Sequence, residues 1–401
     1  MPRVHHVCRA TQVLILATAV GLPGIGAVVH AQTQHPAPPD ADKTLGKGLT
    51  SADQPRRVPP ATRARPWIVE VRGGIGLSTN PTAGTGQLPG LGNVILPAGA
   101  NFGPARTVSS WLFGDGAAQL NAFAPTRALP HLPALDAMLT SLGATRSAGG
   151  TLGFAIGRDL SPHLAIDFTV DANLQAVSMT STATSALEAT RAGFVNTWQA
   201  LFLSARSGPV TGLAVSATTT GATSAGGQIE ATGSLRYRLR PGAKLDPFIT
   251  VGAGILADTG STPSPELVGT YQFTLPISGL AIPYKQTDTV TIHALDGGAR
   301  LVGVLGGGVD RALSAHSGIR LEARATIAAN RSETTLDANP ATQMTMPQLG
   351  LFFESAPTTI IINNGSLPSS LSGSPLAGFQ TFVGRGIRIE SAITVGYFFR
   401  F

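Results

Sequence analysis

Cysteine is nearly missing from this chain. There is one, Cys8, among 401 residues. It stands before an N-terminal apolar run, and the rest of the sequence therefore has neither a disulfide framework nor a thiolate metal site. Charge is scarce as well: charged residues make up 12% of the chain, against about 25% in soluble globular domains. A surface with so few charges is poorly solvated by water and suits contact with lipid. Yet beyond the N-terminus no apolar run reaches the roughly 18 residues that a transmembrane helix needs. A chain that spans lipid without helices has to close a β-barrel, because lipid cannot satisfy an open strand edge.

Other signals are missing too. His163, His293 and His316 lack metal-ligand spacing, and no metal or other cofactor is expected. The Gly-rich stretch 303–308 lacks the strand–loop–helix setting of a phosphate loop, and close packing explains strand glycines better. A basic surplus is absent from the body of the chain. Residues 1–31 carry Arg3 and Arg9 with no acid, and residues 32–65 carry six bases against three acids. Taking these from the chain's 28 bases and 22 acids leaves 20 against 19 over residues 66–401. The high isoelectric point thus belongs to the N-terminal segments, and nucleic acid is not an expected partner.

Residues 1–31 have a secretory-signal pattern: a basic start, an apolar stretch from Leu14 to Val29, and small residues at Val29-His30-Ala31. Residues 32–65 are polar and Pro-rich, with no apolar period, and are expected to be a disordered periplasmic segment. From Trp67 onward a period of two recurs. Trp67, Val69, Val71 and Ile75 oppose Glu70 and Arg72. Leu152, Phe154 and Ile156 alternate with small residues. Leu164 to Leu174 and Ile229 to Tyr237 alternate apolar with polar, as do Ile249 to Ile255 and Ile319 to Ile327. Residues 299–309 are apolar with no clear facing. The connections alternate between short turns and long loops, the latter near 77–148, 178–226, 258–298 and 330–385.

The last stretch, 387–401, reads I-R-I-E-S-A-I-T-V-G-Y-F-F-R-F. Ile387, Ile389, Ile393, Val395, Tyr397, Phe399 and Phe401 fall on one face. This resembles the C-terminal signature of bacterial outer-membrane β-barrel proteins, and the whole of 66–401 resembles the small OmpA/OmpX-like barrels. The resemblance implies an all-β fold: a closed antiparallel transmembrane barrel of about eight strands, with long extracellular loops. It also implies a cell outer membrane location, contact with outer-membrane lipid and lipopolysaccharide, and recognition by the barrel assembly machinery through Tyr397, Phe399 and Phe401. The runs 267–275 and 289–295 are expected to extend the fifth and sixth strands as an extracellular hairpin; a fifth transmembrane pair, giving ten strands, is the alternative. Residues 185–206 have helical spacing, with Leu187, Phe194, Trp198, Leu201 and Leu203 towards one side, and predict one short loop helix. Residues 331–385 look irregular.

The polar faces name the residues expected inside the barrel. The acids are Glu70, Asp167, Asp171, Glu230, Glu322 and Glu390; the bases are Arg72, Arg236, Arg238, Arg320, Arg324 and Arg388. An eight-strand barrel is only wide enough for side chains to fill it, and buried charges must be paired. The expected interior is a charge network that blocks the lumen, with no catalytic residues, and the expected role is structural or surface-interacting through the loops. A small-solute porin and a lipid A-modifying hydrolase, which would need Ser, His and an acid gathered at the outer rim, are the alternatives.

Overall fold

The computed structural model describes residues 66–79, 83–90, 92, 94–96, 105–122, 129–204, 211–277, 279–296, 298–346, 351–354, 369–370 and 375–401. The expected signal (1–31) and Pro-rich segment (32–65) lie outside the described residues. In chain order the main elements are β1 (Trp67–Ser78), α1 (Gly114–Ala122), α2 (Asp136–Leu139), β2 (Gly149–Asp159), β3 (Leu164–Leu174), α3 (Ser181–Ser204), β4 (Thr211–Thr220), β5 (Gln228–Arg238), β6 (Leu245–Asp258), β7 (Glu266–Ile277), β8 (Leu280–Asp296), β9 (Arg300–Ala312), β10 (Ser317–Met346) and β11 (Leu376–Arg400).

Eight of these strands form a closed antiparallel ring. β1 pairs with β2, β2 with β3, β3 with β5, β5 with β6 and β6 with β9. β9 then pairs with β10, β10 with β11, and β11 returns to β1. The alternation sets the facing. Val395 and Leu321, register partners, are 55% and 51% exposed, while Arg388 is 0% and Arg72 4% exposed. A sheet with its aliphatic face outward and its charges inward is the inverse of a soluble barrel, and it fits a lipid solvent. β9, whose facing the sequence left open, turns Leu301 and Leu305 out and Val302, Val304 and Asp310 in.

Short turns join β2–β3, β5–β6 and β9–β10 at one end of the ring. Gly242, with φ +83°, supplies the left-handed residue that the Pro241-Gly242 turn requires. Exposed Trp67, Tyr237, Tyr397, Phe399 and Phe401 gather at this end, as an interfacial aromatic girdle does. From Ile319, opposite Tyr397, to Arg331, opposite Arg385, β10 advances about 40 Å along the strand and, at the usual tilt, about 30 Å along the barrel axis. The outer face over that span carries Leu321, Ile327, Ile387 and Ile389. Arg331 and Arg385 therefore mark the opposite membrane boundary.

Beyond that boundary the sheet continues as a crown. β10 runs on to Met346 and pairs over 332–344 with β8, β8 with β7, and β7 with β4. The hairpin β7–β8 is thus extracellular, as expected, but it extends the seventh barrel strand rather than the fifth and sixth. The reason is reach: β10 overruns the ring by more than a dozen residues and offers the hairpin a free ladder. The ring closes without β7 and β8, which excludes the ten-strand alternative. Residues 331–346 and 376–385 are regular strand rather than irregular loop, with bulges near Thr335 and Leu336.

One face of the crown sheet is covered by α1, α2 and α3. The core between them holds Trp111, Leu112, Leu132, Leu135, Leu139, Leu187, Phe194, Trp198, Leu267, Tyr271, Val290, Ile292 and Leu336. The expected helix is present and longer than expected, starting after Thr180, whose hydroxyl accepts the Ala183 N–H. Leu187, Thr190, Phe194, Thr197 and Trp198 form its buried stripe. The Thr190 and Thr197 hydroxyls donate to Pro133 O and Pro130 O at 2.6 and 2.9 Å. Leu203 is 82% exposed instead of clustered, because five residues past Trp198 it has turned about 140° away on a 3.6-residue helix.

Candidate functional site

Two regions hold chemistry: the lumen and the crown. In the lumen, β3, β5 and β10 supply eight of the twelve charges named from the sequence, because polar residues recur at their inward positions. Arg72 donates to Asp171 at 2.8 Å and to Glu322 at 3.1 Å. Arg236 reaches Asp167 at 3.1 Å and Asp310 at 3.2 Å. Arg320 bonds Glu70, and Asp310 at 2.7 and 3.0 Å. Arg324 donates to Glu322 and to Thr169 at 3.1 Å. Arg238 pairs with Asp159 at 2.7 Å, and Arg388 with Glu390 at 2.9 Å. Glu230 differs: it accepts from the Thr326 hydroxyl at 3.1 Å. The Arg320 guanidinium also sits over the inward rings of Phe248 and Phe398, at 5.3 and 5.5 Å.

The twelve lumen residues named from sequence all point inward, and the network is larger than they are. Asp310 sits at its centre, between Arg236 and Arg320. The run Gly306-Gly307-Gly308 beside it hides the alternation that would have flagged it. Asp258, with Arg146 at 2.8 Å and with Arg300, forms a further charged layer towards the crown. Just inside it, Leu256, Val302, Val304 and Ala328 make an apolar layer. Carboxylates find room because facing positions are glycine. A Cβ at Gly153 would meet Asp171 Oδ1 at 1.8 Å, and one at Gly157 would meet Asp167 Oδ1 at 2.1 Å. The void between Arg72, Thr151, Asp171, Glu230, Arg324 and Glu390 has a volume of about 20 Å3, space for about one water.

In the crown, Asp288 on β8 is 1% exposed. It accepts from the Trp111 N–H at 2.6 Å and from the Ser110 hydroxyl at 2.9 Å, and so ties the first long connection to the hairpin. Burial pushes its carboxyl up to about 7, against the two donated bonds, which work the other way. Around it Trp198 stacks on Tyr271 at 4.1 Å and meets Trp111 edge-on at 5.4 Å.

A third arrangement lies on the opposite, solvent-facing side of the crown sheet. His293 Nδ1 is 3.1 Å from Ser264 Oγ, and His293 Nε2 is 3.0 Å from Asp337 Oδ2. The Gly378 N–H donates to Asp337 Oδ1 and, with the His293 ring, holds that carboxyl below the usual range, against a partial burial that works the other way. In the sequence His293 has no metal-ligand spacing. Ser264 is 29 residues and Asp337 44 residues from it, so only the strand pairing brings the three together. Among the described residues no group of His, Cys, Asp and Glu could hold a metal ion.

A ring of eight antiparallel strands, aliphatic outside over the thickness of a bilayer core and ionic within, is a transmembrane β-barrel of the outer-membrane type. Its fold is similar to that of the outer membrane protein OprG from Pseudomonas aeruginosa, at 9% identity and a TM-score of 0.33 over 84% of this chain and 97% of that one. It is also similar to the translocator domain of the autotransporter NalP from Neisseria meningitidis (8%, TM-score 0.22, 85% and 90% of the two chains). The outer membrane protease OmpT from Escherichia coli is a further likeness (9%, TM-score 0.25, 85% and 99%). No protein-family model matches the chain, and no curated protein matches it.

Proposed function

We propose that this is a non-conducting outer-membrane barrel, its lumen closed by its own charge network, that presents a folded crown for interactions at the cell surface. One observation carries the reading: Arg72, Arg236 and Arg320 lie side by side across the lumen, all nearly fully buried and each bonded to two carboxylates. Ions held this way replace the water that a pore would need, and separating any pair leaves an unpaired buried charge. The apolar layer of Leu256, Val302 and Val304 above it adds a second obstacle to ions. The crown supports the surface role, because its helices and sheet share a core of their own and leave the Thr-rich strand β4 at the outer edge.

The outward face of the barrel meets outer-membrane lipid, with lipopolysaccharide at the Arg331–Arg385 boundary. β11, carrying Tyr397, Phe399 and Phe401, is the strand offered to the assembly machinery. Conductance in planar bilayers tests the closed lumen. The expected trace shows no stable channel of porin size; a large, steady single-channel conductance would make this a small-solute channel instead.

A further inference from the structure

Ser264, His293 and Asp337 form a hydrogen-bonded chain whose order is nucleophile, base and orienting carboxylate. Its backbone frame is built to hold it. Ile292 N–H donates to Pro265 O at 2.9 Å and Ala294 N–H to Pro263 O at 3.3 Å. The residues on either side of His293 are therefore bonded to the residues on either side of Ser264, which places the two side chains abreast. Pro263 and Pro265 narrow the backbone freedom of the serine between them, and Ser264 N–H donates to Gly221 O at 3.2 Å. Asp337 stands on the neighbouring strand β10, opposite Thr291, with Thr335 opposite His293. Gly378, at φ +62°, takes a left-handed turn that aims its N–H at Asp337. A lone surface hydrogen bond would engage one ring nitrogen; here both are engaged, and Asp337 selects the Nε2–H tautomer that leaves Nδ1 free to accept the serine proton.

We infer that Ser264, His293 and Asp337 are an acyl-ester hydrolase site on the outer face of the crown, acting on water-soluble esters of short acyl chains. Ser264 Oγ adds to the ester carbonyl carbon while its proton passes to His293 Nδ1. The carbon–oxygen bond to the alcohol then breaks, and the alcohol leaves with that proton. Water adds to the acyl carbon, gives a proton to His293, and displaces Ser264, which takes the proton back. One ester and one water become one acid and one alcohol. Ser264 and His293 are the catalytic residues; Asp337 is a positioning residue.

The substrate class follows from where the site sits. Thr335, beside His293, is four residues beyond Arg331, which puts the site about 10 Å above the membrane boundary at the usual strand rise and tilt. The His293 and Asp337 side chains are 33% and 43% exposed, and Thr289, Thr291 and Thr335 share their face of the sheet. Leu295, 44% exposed, is the apolar neighbour on the membrane side of His293 and suits a short acyl group. A long chain drawn from the bilayer would have to cross that gap through water.

The test uses the full chain purified from outer membranes in detergent. A fluorophosphonate probe is applied and labelled peptides are identified by mass spectrometry. Labelling is expected at Ser264 and not at an exposed turn serine such as Ser314. S264A abolishes it, and H293Q lowers its rate about 100-fold or more, the scale of a general base. D337N lowers the rate as well, and D337E restores part of it, which loss of a merely structural contact would not do. Migration of unheated protein on gels reports that each variant remains a folded barrel. Hydrolysis of p-nitrophenyl acetate is expected to exceed that of p-nitrophenyl palmitate. Ser264 labelling no faster than Ser314, or unchanged in H293Q, overturns the site; faster turnover of the palmitate ester overturns the soluble-ester assignment. Neither result depends on whether the lumen conducts.

Discussion

Arg72 on β1 and Asp171 on β3 meet across the inside of the barrel, their side chains 2% and 7% exposed, joined by two hydrogen bonds from one guanidinium to one carboxylate. They lie 99 positions apart in the chain, and Gly153 of β2 pairs with both. The contact therefore ties three neighbouring strands together on the lumen side. R72A strands Asp171 with Arg324 at 3.6 Å as its remaining pair. The expected loss is about 3 kcal/mol, the scale of breaking one side of a buried pair. The double variant R72M/D171L should lose less than the sum of its two singles. Urea unfolding in micelles, followed by the shift between folded and unfolded gel bands, measures both.

Gly153 tests the room allotted to that carboxylate. Its missing Cβ is the space that Asp171 Oδ1 occupies, and Asp171 cannot swing aside without leaving Arg72. G153A should destabilise the barrel by about 1–3 kcal/mol, as overpacking does. Restoring space with the double variant G153A/D171G should recover little, because Arg72 is then short of a partner. The same urea titration gives the answer.

Asp288 makes the crown sensitive to pH. Its folded-state carboxyl titrates at about 7, raised from 3.8 by burial. Unfolding lets it lose its proton near the lower value, so the folded state holds the extra proton between the two. The stability contribution is therefore full below about pH 4 and lost as pH rises towards 7. The crown's urea midpoint, followed by the fluorescence of Trp111 and Trp198, is expected to fall from pH 4 to pH 7 and to level off above it. D288N keeps an acceptor for the Trp111 N–H and should flatten that slope. An equally steep slope in D288N would assign the pH dependence to another group.

The barrel was legible in the sequence because lipid imposes a strict rule: outward residues must be apolar, so a period of two survives in Leu164 to Leu174 and in Ile387 to Phe399. The inward charges were legible for the same reason. Three features were not. Asp310 stands beyond a glycine run that has no facing. The crown hairpin satisfies its edge on β10, a choice that alternation alone cannot make between neighbouring strands. Ser264, His293 and Asp337 are each ordinary in sequence, and only the register of β8 on β10, with two backbone bonds to Pro263 and Pro265, puts them in contact.

The facing itself is open to a direct test at Ile327. It lies opposite Ile389 well inside the outer aliphatic band, and both are partly exposed. Its neighbours along β10, Thr326 and Ala328, are buried and point the other way, into the lumen. Placing a cation at 327 puts it in hydrocarbon, at a depth where Arg costs about 2–4 kcal/mol in an outer-membrane barrel. I327R should therefore lower the unfolding free energy in bilayers by that amount and reduce the yield of assembled protein. In a soluble sandwich the same exposed position would tolerate arginine with a change of about 0.5 kcal/mol or less. The size of the effect thus separates a lipid-facing residue from a water-facing one. Folding into vesicles with thinner hydrocarbon should shrink the penalty, because the charge then reaches a headgroup region over a shorter path.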